Sequence, residues 1–423
     1  MLIKRRTLLK GTAGLAAASA LPLPAYAQGA PIKLGYVTPQ SGPLAGFAEA
    51  DRFIIDGFLQ ATGGKFEVVV KDSQSNPNRA AEVAKELIVS DKVQLMLVGA
   101  TPETVNPVAT TAEGEEVPVI STTAPWQPYF IGQQGNPQAP DSWQPFDYSY
   151  HFFWGLEDVI ANFTAMWAQL DTNKQVAGMF PNDGDGNAWG DPNVGFPPVL
   201  NAQGYALVDP GRYQNLTDDF SAQINAFKGA DCEIMTGVMI PPDFTTFWNQ
   251  ALQQGYKPKA ASVGKAILFP QSVEALGQSG NNLSSEVWWS PNHPFTSSLT
   301  GTSCAELAAQ FTQATGRQWT QPIGFVHALF ELAAHVMGQA DDPSDADAVA
   351  ELIASTSLDT IVGNVAWGAA DAKLPPFAAR NVAKTPLVGG QWRLQDGGSY
   401  DLVVVDNSQA PQIPTGGTME PIA

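Results

Sequence analysis

Residues 32–47 read IKLGYVTPQSGPLAGF, and this stretch decides the fold. Its first six residues are mostly aliphatic or aromatic and are followed closely by Pro39, which predicts a strand. The segment SGPLAGF at 41–47 combines glycine and proline with small apolar residues and is typical of a loop. A helical stretch and a second predicted strand, 66–70, come next. The chain therefore opens as a β-α-β unit.

The same alternation of strands and helices continues along the chain. Asn76 and Pro77 supply the N-cap and the first residue of a helix. Residues 93–98 and 117–120 are almost unbroken apolar runs, which predict strands. Strands that are buried on both faces and alternate with helices of crossover length indicate a parallel α/β sheet.

A second series begins after 127–145, a stretch rich in proline, glutamine and glycine that is typical of a surface excursion or a linker. Its predicted strands are 175–180, 206–208, 233–239 and 261–263, and its predicted helices are 194–202, 220–227 and 244–254. Two series predict an α/β protein with two doubly wound parallel-sheet lobes. Two later helices, 304–315 and 324–339, indicate that the chain returns to the first lobe. The expected division is an export signal at 1–27, a first lobe at 28–147 and 292–360, a second lobe at 148–291 and 361–405, and a loose C-terminal tail at 406–423.

The N-terminus has the features of a removable export signal. Its basic region contains Lys4, Arg5, Arg6 and Lys10. A weakly apolar stretch, 11–23, is too short to cross a bilayer, and Ala25-Tyr26-Ala27 is a small-x-small cleavage site. The paired arginines match the twin-arginine pattern, and an ordinary secretory signal that happens to contain two arginines is the alternative. Both signals predict cleavage near Ala27 and a periplasmic location.

Composition excludes several classes of function. The formal net charge of −19 repels nucleic acids and anionic membranes, so we expect neither nucleic-acid binding nor direct membrane insertion. Cys232 and Cys304 are too few for a disulfide scaffold in an exported protein of this length. Two buried thiols are favoured, but the sequence leaves open whether the two residues are paired.

Three loops follow predicted strands of the first lobe, namely 39–47, 99–104 and 121–126. Ligands of open α/β sheets bind beyond the carboxyl ends of the strands, so these loops are candidate binding loops. Their hydroxyl groups and the backbone N–H groups of the following helices suit a carboxylate or another small anionic group. The alternative for each serine and threonine is an N-cap or a turn residue.

Five motifs at these positions resemble the branched-chain amino-acid-binding proteins of ABC transporters, which have a type I periplasmic binding fold. They are IKLG at 32–35, SGPLAGF at 41–47, LVGAT at 97–101, VPVIS at 117–121 and TDDFS at 217–221. The resemblance covers almost the whole mature chain. It implies two lobes joined by three hinge crossovers, which close on a small molecule and deliver it to an ABC permease. A sensor that presents its ligand to a membrane receptor uses the same fold and is an alternative. The resemblance also implies a monomeric binding protein that performs no catalysis and needs no cofactor.

The resemblance further implies the ligand-binding residues. Phe47 stands where the family has an aromatic wall residue, and Asp243 stands where the family places an acidic residue on the ligand's ammonium group. The alternative for Asp243 is an acidic residue in the first turn of a helix. The residues that match the family's two carboxylate loops are Thr101, Pro102, Glu103 and Thr104 in the first loop and Thr123, Ala124 and Pro125 in the second.

Two departures from the family pattern concern the ligand. Pro102-Glu103 replaces the small hydroxyl pair that is common in the first carboxylate loop. Aromatic residues also fall near strand ends and crossovers, among them Trp126, Trp154, Trp189 and Tyr213. Together they favour a cleft for a flat or apolar ligand, so aromatic carboxylates and small amides are rivals to aliphatic amino acids. The alternative for each aromatic side chain is core packing.

Metal and catalytic motifs are weak. Residues 183–189, DGDGNAW, imitate the start of a calcium loop, but Ala188 stands at the sixth position, where glycine is required, and Val194 at the twelfth, where glutamate is required. The four histidines are scattered, and the sequence has no zinc, nucleophile-elbow or phosphate-loop motif. We therefore expect neither a metal site nor catalysis, and an exported enzyme remains the least favoured alternative.

Overall fold

A computed structural model describes residues 30–136, 138–368 and 374–422. The chain divides into a short N-terminal unit, Met1–Pro31, and a second unit, Ile32–Ala423, which contains the fold. The predicted export signal, 1–27, lies outside the described residues.

The strands and helices alternate as the sequence predicts. The strands are β1 Ile32–Thr38, β2 Phe66–Asp72, β3 Leu95–Val98, β4 Val119–Thr122, β5 Ser149–Phe152, β6 Gln175–Met179, β7 Ala206–Val208, β8 Ile234–Val238, β9 Ala260–Gly264, β10 Ser284–Val287, β11 Ser357–Thr360, β12 Gly363–Ala366, β13 Val382–Ala383, β14 Val388–Leu394 and β15 Tyr400–Asp406. The helices are α1 Asp51–Ala61, α2 Pro77–Glu86, α3 Pro102–Gly114, α4 Trp126–Gly132, α5 Leu156–Trp167, α6 Gly184–Trp189, α7 Phe196–Ala202, α8 Ser221–Gly229, α9 Pro241–Gln253, α10 Pro270–Glu274, α11 Cys304–Thr315, α12 Pro322–Gln339 and α13 Ala346–Ala354.

The first sheet has the strand order β2-β1-β3-β4-β5-β13, and all its neighbours are parallel. Its central strands β3 and β4 are buried at every position, as expected for strands covered by helices on both faces. The predicted cap of α2 is confirmed, because the Asn76 side chain accepts hydrogen bonds from the N–H groups of Asn78 and Arg79. Since β2 and β3 flank β1 on opposite sides, a crevice opens beyond the carboxyl end of β1.

The second sheet has the order β7-β6-β8-β9-β10-β14-β15. Strands β6 to β10 are parallel, whereas β14 pairs antiparallel with both β10 and β15. The predicted fold class, two α/β lobes built mainly of parallel strands, is confirmed. The antiparallel end of the second sheet is a feature that the sequence pattern did not reveal.

In the described part of the chain, the backbone passes between the two sheets three times, after β5, after β10 and after β13. The expected division assigned β5 and β13 to the second lobe, but β5 pairs with β4 and with β13 in the first sheet. Both boundaries were misplaced because β5 follows a long irregular stretch and β13 is only two residues long. Each of these strands directly precedes a crossover.

The long segment between β10 and β13 is held in place by a buried carboxylate on α12. Glu331 accepts hydrogen bonds from the N–H groups of Ser298, which follows β10, and of Ile361, which lies between β11 and β12. Helix α12 is buried along most of its length, so this carboxylate has a rigid support. The crossover after β10 is therefore anchored to the core of the first lobe.

The C-terminal tail is not loose, which corrects the expectation for 406–423. Ile413 and Met419 are buried, and the Gln391 side chain on β14 donates to the carbonyl of Glu420 and accepts from its N–H group. The Asn282 amide also donates to the carbonyl of Pro421. Proline and glycine prevented a regular element here, but the backbone groups are satisfied by side chains of the second sheet.

Cys232 and Cys304 are buried free thiols. Within the described ranges, no helix combines the length and the apolar character needed to cross a membrane.

Candidate functional site

A cavity lies between the two lobes, beyond the carboxyl ends of parallel strands from both sheets. Its free volume is only about 30 Å³, far below the range for small-molecule sites, so a ligand of amino-acid size needs the lobes to separate or the side chains of the lining to move. The residues that line it are Phe47, Thr101, Thr123, Pro125, Phe153, Trp154, Asp185, Trp189, Val238, Lys265, Leu268, Glu286 and Trp288. Six of the residues predicted from the sequence are in this set: Phe47, Thr101, Thr123, Pro125, Trp154 and Trp189.

The loops of the first lobe form one wall, and their backbone is strained. Ala100 has a φ of 116° and Thr123 a φ of 64°, values that non-glycine residues rarely adopt. The two loops are joined because the N–H group of Ala100 donates to the Thr123 hydroxyl, which itself donates to the carbonyl of Thr122. The Thr123 hydroxyl is therefore occupied within the protein. The Thr101 hydroxyl, by contrast, is buried and has no hydrogen-bond partner among the described residues.

His151 holds the second of these loops in place. Its Nε2 lies 2.7 Å from the carbonyl oxygen of Ala124, and its Nδ1 lies 2.8 Å from the Ser121 hydroxyl. A carbonyl only accepts, so Nε2 carries the proton and Nδ1 accepts from Ser121. Burial lowers the pKa of the imidazole to about 3, which keeps it neutral. Predicted residue Ala124 thus acts through its backbone and does not line the cavity.

Aromatic side chains form the lateral walls. Phe153 and Trp154 come from the first crossover, Trp189 ends α6, and Trp288 follows β10. Trp189 stacks on Phe196 with ring centroids 5.1 Å apart. The indole N–H groups of Trp154, Trp189 and Trp288 are buried, and none has a hydrogen-bond partner within the part of the chain that the structure covers. Buried donors without partners are costly, and an acceptor on a bound molecule would satisfy them.

The second lobe contributes a buried charged cluster. The Lys265 ammonium, at the end of β9, lies 2.8 Å from Asp185 Oδ2 and 3.3 Å from Asp183 Oδ2. Burial disfavours the charged lysine, but the carboxylates of Asp183, Asp185 and Glu103 outweigh that effect and raise the pKa of Lys265 well above its usual value. Burial raises the pKa of Asp185 to about 7, and Lys265 opposes this shift. Asp185 Oδ1 has no hydrogen-bond partner among the described residues.

Glu286 is a second buried carboxylate at the cavity. It points from β10, and it accepts hydrogen bonds from the Lys265 N–H group and from the Ser285 hydroxyl. Burial raises the pKa of Glu286 to about 7, although these donors oppose the shift. The second lobe thus presents more carboxylates than the single Lys265 neutralises, and this wall of the cavity attracts cations.

The cleft is closed in this structure, because side chains of the two lobes meet across it. Phe47 lies edge to face against Phe269, with ring centroids 5.2 Å apart. Glu49 of the first lobe accepts a hydrogen bond from Gln271 of the second lobe, at 3.2 Å. Contacts of this kind exist only when the lobes are close together.

Asp243, the predicted partner of a ligand ammonium, does not line the cavity. It lies in the first turn of α9, and both its carboxylate oxygens accept from the N–H group of Leu216, at 2.9 and 3.2 Å. Burial raises the pKa of Asp243 to about 6, and the Leu216 N–H group opposes the shift. Leu216 has a φ of 65°, so the carboxylate holds a left-handed turn in place. The structure assigns Asp243 a contact with the backbone.

The other predicted residues lie around the cavity and not in its lining. Pro102 and Glu103 line a second, more open groove between the lobes, and Thr104 is buried inside the start of α3. The Trp126 indole N–H donates to Glu157 of α5 at 3.1 Å, which links the first lobe to the start of the second. Tyr213 packs edge to face against Phe220, and burial raises the pKa of its hydroxyl far above the usual value.

Seven residues of the lining were missed or were not chosen as site residues: Phe153, Asp185, Val238, Lys265, Leu268, Glu286 and Trp288. Lys265 and Val238 stand at the ends of predicted strands of the second lobe. Because ligands bind beyond the carboxyl ends of parallel strands, this position was the signal that could have identified them. The signal for Glu286 was a carboxylate inside a buried strand, where an unpaired charge is unfavourable.

The segment 183–189 forms the N-cap and the whole of α6 and does not have the arrangement of a calcium loop. The Asp183 carboxylate accepts from the N–H group of Gly186, and the carboxylates of Asp183 and Asp185 both contact Lys265. No group of histidine, cysteine, aspartate and glutamate side chains in the described ranges could hold a metal ion.

Comparisons with known proteins agree with this architecture. A family model described as periplasmic binding protein matches residues 31–378, which is most of the chain. The chain belongs to the periplasmic binding protein family. The predicted resemblance is confirmed at the level of the family. This is a family of binding proteins and not a class of enzymes. No curated protein sequence matches the chain.

Solved structures share the fold at low sequence identity. The branched-chain amino acid transporter substrate-binding protein of Streptococcus pneumoniae, in complex with isoleucine, is 17% identical, covers 89% of this chain and 99% of its own, and has a TM-score of 0.67. A leucine-binding protein from Thermotoga maritima is 16% identical, with coverages of 89% and 99% and a TM-score of 0.69. A solute-binding protein of an ABC transporter from Rhodopseudomonas palustris HaA2, in complex with p-hydroxybenzoic acid, is 18% identical, with coverages of 90% and 98% and a TM-score of 0.70.

Proposed function

We propose that this protein is the periplasmic substrate-binding component of an ABC importer and that its ligand is a small amino-acid-like molecule with an apolar or aromatic side chain. The observation that carries the proposal is the polarity of the cavity. The wall from the first lobe offers hydrogen-bond donors without partners, and the wall from the second lobe offers buried carboxylates. A zwitterion has the complementary ends.

The carboxylate of the ligand would lie against the first lobe. Thr101 is the N-cap of α3, and its hydroxyl has no partner in the described part of the protein. The first turn of a helix presents backbone N–H groups and the positive end of the helix dipole, both of which favour an anion. The Trp154 indole N–H adds a further donor.

The ammonium group of the ligand would lie against Asp185 and Glu286, which replace Asp243 in the role expected from the sequence. Asp185 Oδ1 has no partner in the described part of the protein, and Glu286 lies on the same wall. A charge-assisted hydrogen bond in a closed, water-poor cleft discriminates strongly in favour of an amine. Closure would select the ligand, since these contacts bridge both lobes only in the closed state.

An aromatic carboxylate is the second candidate. Five aromatic side chains line the cavity, and a solved structure with the same fold holds p-hydroxybenzoic acid. An amine-free anion, however, would lie close to Asp185 and Glu286, and the one lysine of the lining is already shared by two carboxylates. The charge of the cavity therefore favours a ligand that carries an amine.

The remaining parts of the proposal come from the sequence and the family. The protein is exported through a twin-arginine signal, acts as a monomer, delivers its ligand to an ABC permease and performs no catalysis. A native mass spectrum of the mature protein tests the monomeric state. Catalytic turnover of any compound in the ligand screen described next would contradict a pure binding function.

A thermal-shift screen tests the ligand class. The mature protein would be refolded without ligand and mixed with L-leucine, L-phenylalanine, 4-hydroxybenzoate, phenethylamine and benzamide. A ligand at a hundred times its dissociation constant adds about 2.7 kcal/mol to the stability, which should raise the melting temperature by several degrees. We expect stabilisation by an amino acid and its loss in the isosteric variant Glu286→Gln. Stabilisation by 4-hydroxybenzoate alone would refute the amine assignment and support the second candidate.

A further inference from the structure

Glu103 differs from the family pattern at the first carboxylate loop, and the structure places it at the mouth of the cleft instead of in the lining. It lies in the first turn of α3 in the first lobe. Its Oε1 accepts a hydrogen bond from the N–H group of Gly184 in the second lobe, at 2.9 Å. This contact joins the two lobes directly.

The local geometry is built for a close approach. A Cβ atom added at Gly184 would lie 3.0 Å from Pro102 Cβ and 3.2 Å from Glu103 Oε1, so glycine lets the two backbones come together. Pro102 begins α3 and directs Glu103 towards α6. The Gly184 N–H group belongs to the first turn of α6, where no acceptor within that helix is available to it. Glu103 supplies this acceptor from the opposite lobe.

Glu103 also acts on the charged wall of the cavity. Its negative charge contributes to the raised pKa of Lys265, together with the nearer carboxylates of Asp183 and Asp185. The Glu103 side chain is half-buried, so part of this electrostatic effect survives solvent screening. The Glu103 charge attracts Lys265 but repels Asp185, so the hydrogen bond to Gly184 is the contact that stabilises the closed position of the second lobe.

We propose that Glu103 is a closure latch, a positioning residue that keeps the cleft shut around the ligand and slows its release without touching it. This inference rests on the proposed function, because it assumes a ligand that is enclosed by closure. Since the latch exists only in the closed state, its loss raises the dissociation rate constant. The association rate constant, which is set by the open state, stays nearly the same.

The test compares Glu103→Ala, Glu103→Gln and the control Glu82→Ala, which removes an exposed glutamate of the same lobe that pairs with Arg79. Stopped-flow tryptophan fluorescence would follow release of whichever screen compound stabilises the wild type most, L-phenylalanine or 4-hydroxybenzoate for example. We expect Glu103→Ala to raise the dissociation rate constant roughly tenfold, as the loss of a charge-assisted hydrogen bond does. Glu103→Gln keeps an acceptor and should show a smaller increase. Glu82→Ala should match the wild type.

A second measurement makes the test independent of the ligand. Spin labels on Thr110 of α3 and Gln203 after α7, both exposed, report the distance between the lobes. In Glu103→Ala we expect a larger open population than in the wild type. A dissociation rate constant in Glu103→Ala equal to that of the wild type overturns the latch. If no compound of the screen binds, an unchanged distribution of distances between the spin labels overturns it. Failure of the proposed function is distinguishable, because it appears in the wild type as the absence of any ligand-induced stabilisation.

Discussion

Removal of the Lys265 ammonium is the sharpest test of the charged cluster. In Lys265→Met the aliphatic stem is retained, but Asp183 and Asp185 lose their common counter-charge. The side chains of Lys265, Asp183 and Asp185 are only 5%, 7% and 5% exposed, so water cannot replace the lysine. Loss of one partner of a buried ion pair costs about 3–5 kcal/mol, because the remaining charge stays buried. We expect a decrease of this size in the free energy of unfolding.

Urea denaturation at pH 7.5, followed by circular dichroism and tryptophan fluorescence, measures this change. The matched control is Lys259→Met, which removes a lysine paired with Glu233 at 2.9 Å but 45% exposed. Exposed pairs contribute about 0–1 kcal/mol, so this control should remain close to the wild type. The double variant Lys265→Met/Asp185→Asn should recover part of the loss, since it removes one of the two uncompensated charges.

The decrease in the free energy of unfolding caused by Lys265→Met should also depend on pH. Burial already raises the pKa of Asp185 to about 7 with Lys265 present, and without the lysine it rises further. A carboxyl group with a raised pKa in the folded state binds a proton on folding. This proton uptake by Asp185 stabilises the folded state fully below the unfolded pKa of about 3.9, and the stabilisation is lost as the pH rises through the pKa of the folded state. The free energy of unfolding of Lys265→Met should therefore approach that of the wild type as the pH falls from 7.5 to 5.5. A loss below about 1 kcal/mol at pH 7.5, or a double variant no more stable than the single one, would refute the reasoning.

Two further predictions concern the carboxylates near the cleft. Burial raises the pKa of both Glu286 and Asp185 to about 7, so both charges develop between pH 6 and pH 8, and the affinity for an amine ligand should increase over that range. Isothermal titration should show weaker binding and a smaller pH dependence in Glu286→Gln, because only Asp185 still titrates there. Asp243→Ala should leave ligand affinity unchanged. It should destabilise the fold by about 1–3 kcal/mol, because the Leu216 N–H group loses its acceptor. A loss of affinity without a loss of stability would show that Asp243 binds the ligand.

Much of the fold was predictable because local signals agreed with it. Asn76 and Pro77 mark the start of α2, and α11 has the bounds that the apolar periodicity predicted. The boundaries failed where local signals are weak. Strand β13 is two residues long and is defined only by its pairing with β5, which no pattern within 382–383 can indicate.

The candidate site was predictable only in part, for a related reason. Loops at the ends of strands β1, β3 and β4 could be located because parallel strands place their carboxyl ends at one edge of a sheet. Which side chains in those loops face the cavity depends on backbone angles such as the φ of 64° at Thr123, and these are set by contacts between loops. Sequence analysis therefore assigned both Thr101 and Thr104 to the site, and only Thr101 lines the cavity.

The sequence by itself determined the fold class, the family and the region of the binding cleft. Strand and helix periodicity, capping residues and the loop motifs are local properties, and each can be read within a few neighbouring residues. Only the tertiary structure decided which carboxylates line the cavity. Asp185, Lys265 and Glu286 are far apart in sequence and meet because the start of α6 and the ends of β9 and β10 lie at the same edge of the second sheet. The tertiary structure also decided that Asp243 binds the N–H group of Leu216 and that Glu103 binds the N–H group of Gly184. The burial of each charge and the position of its partner depend on how distant segments of the chain pack together.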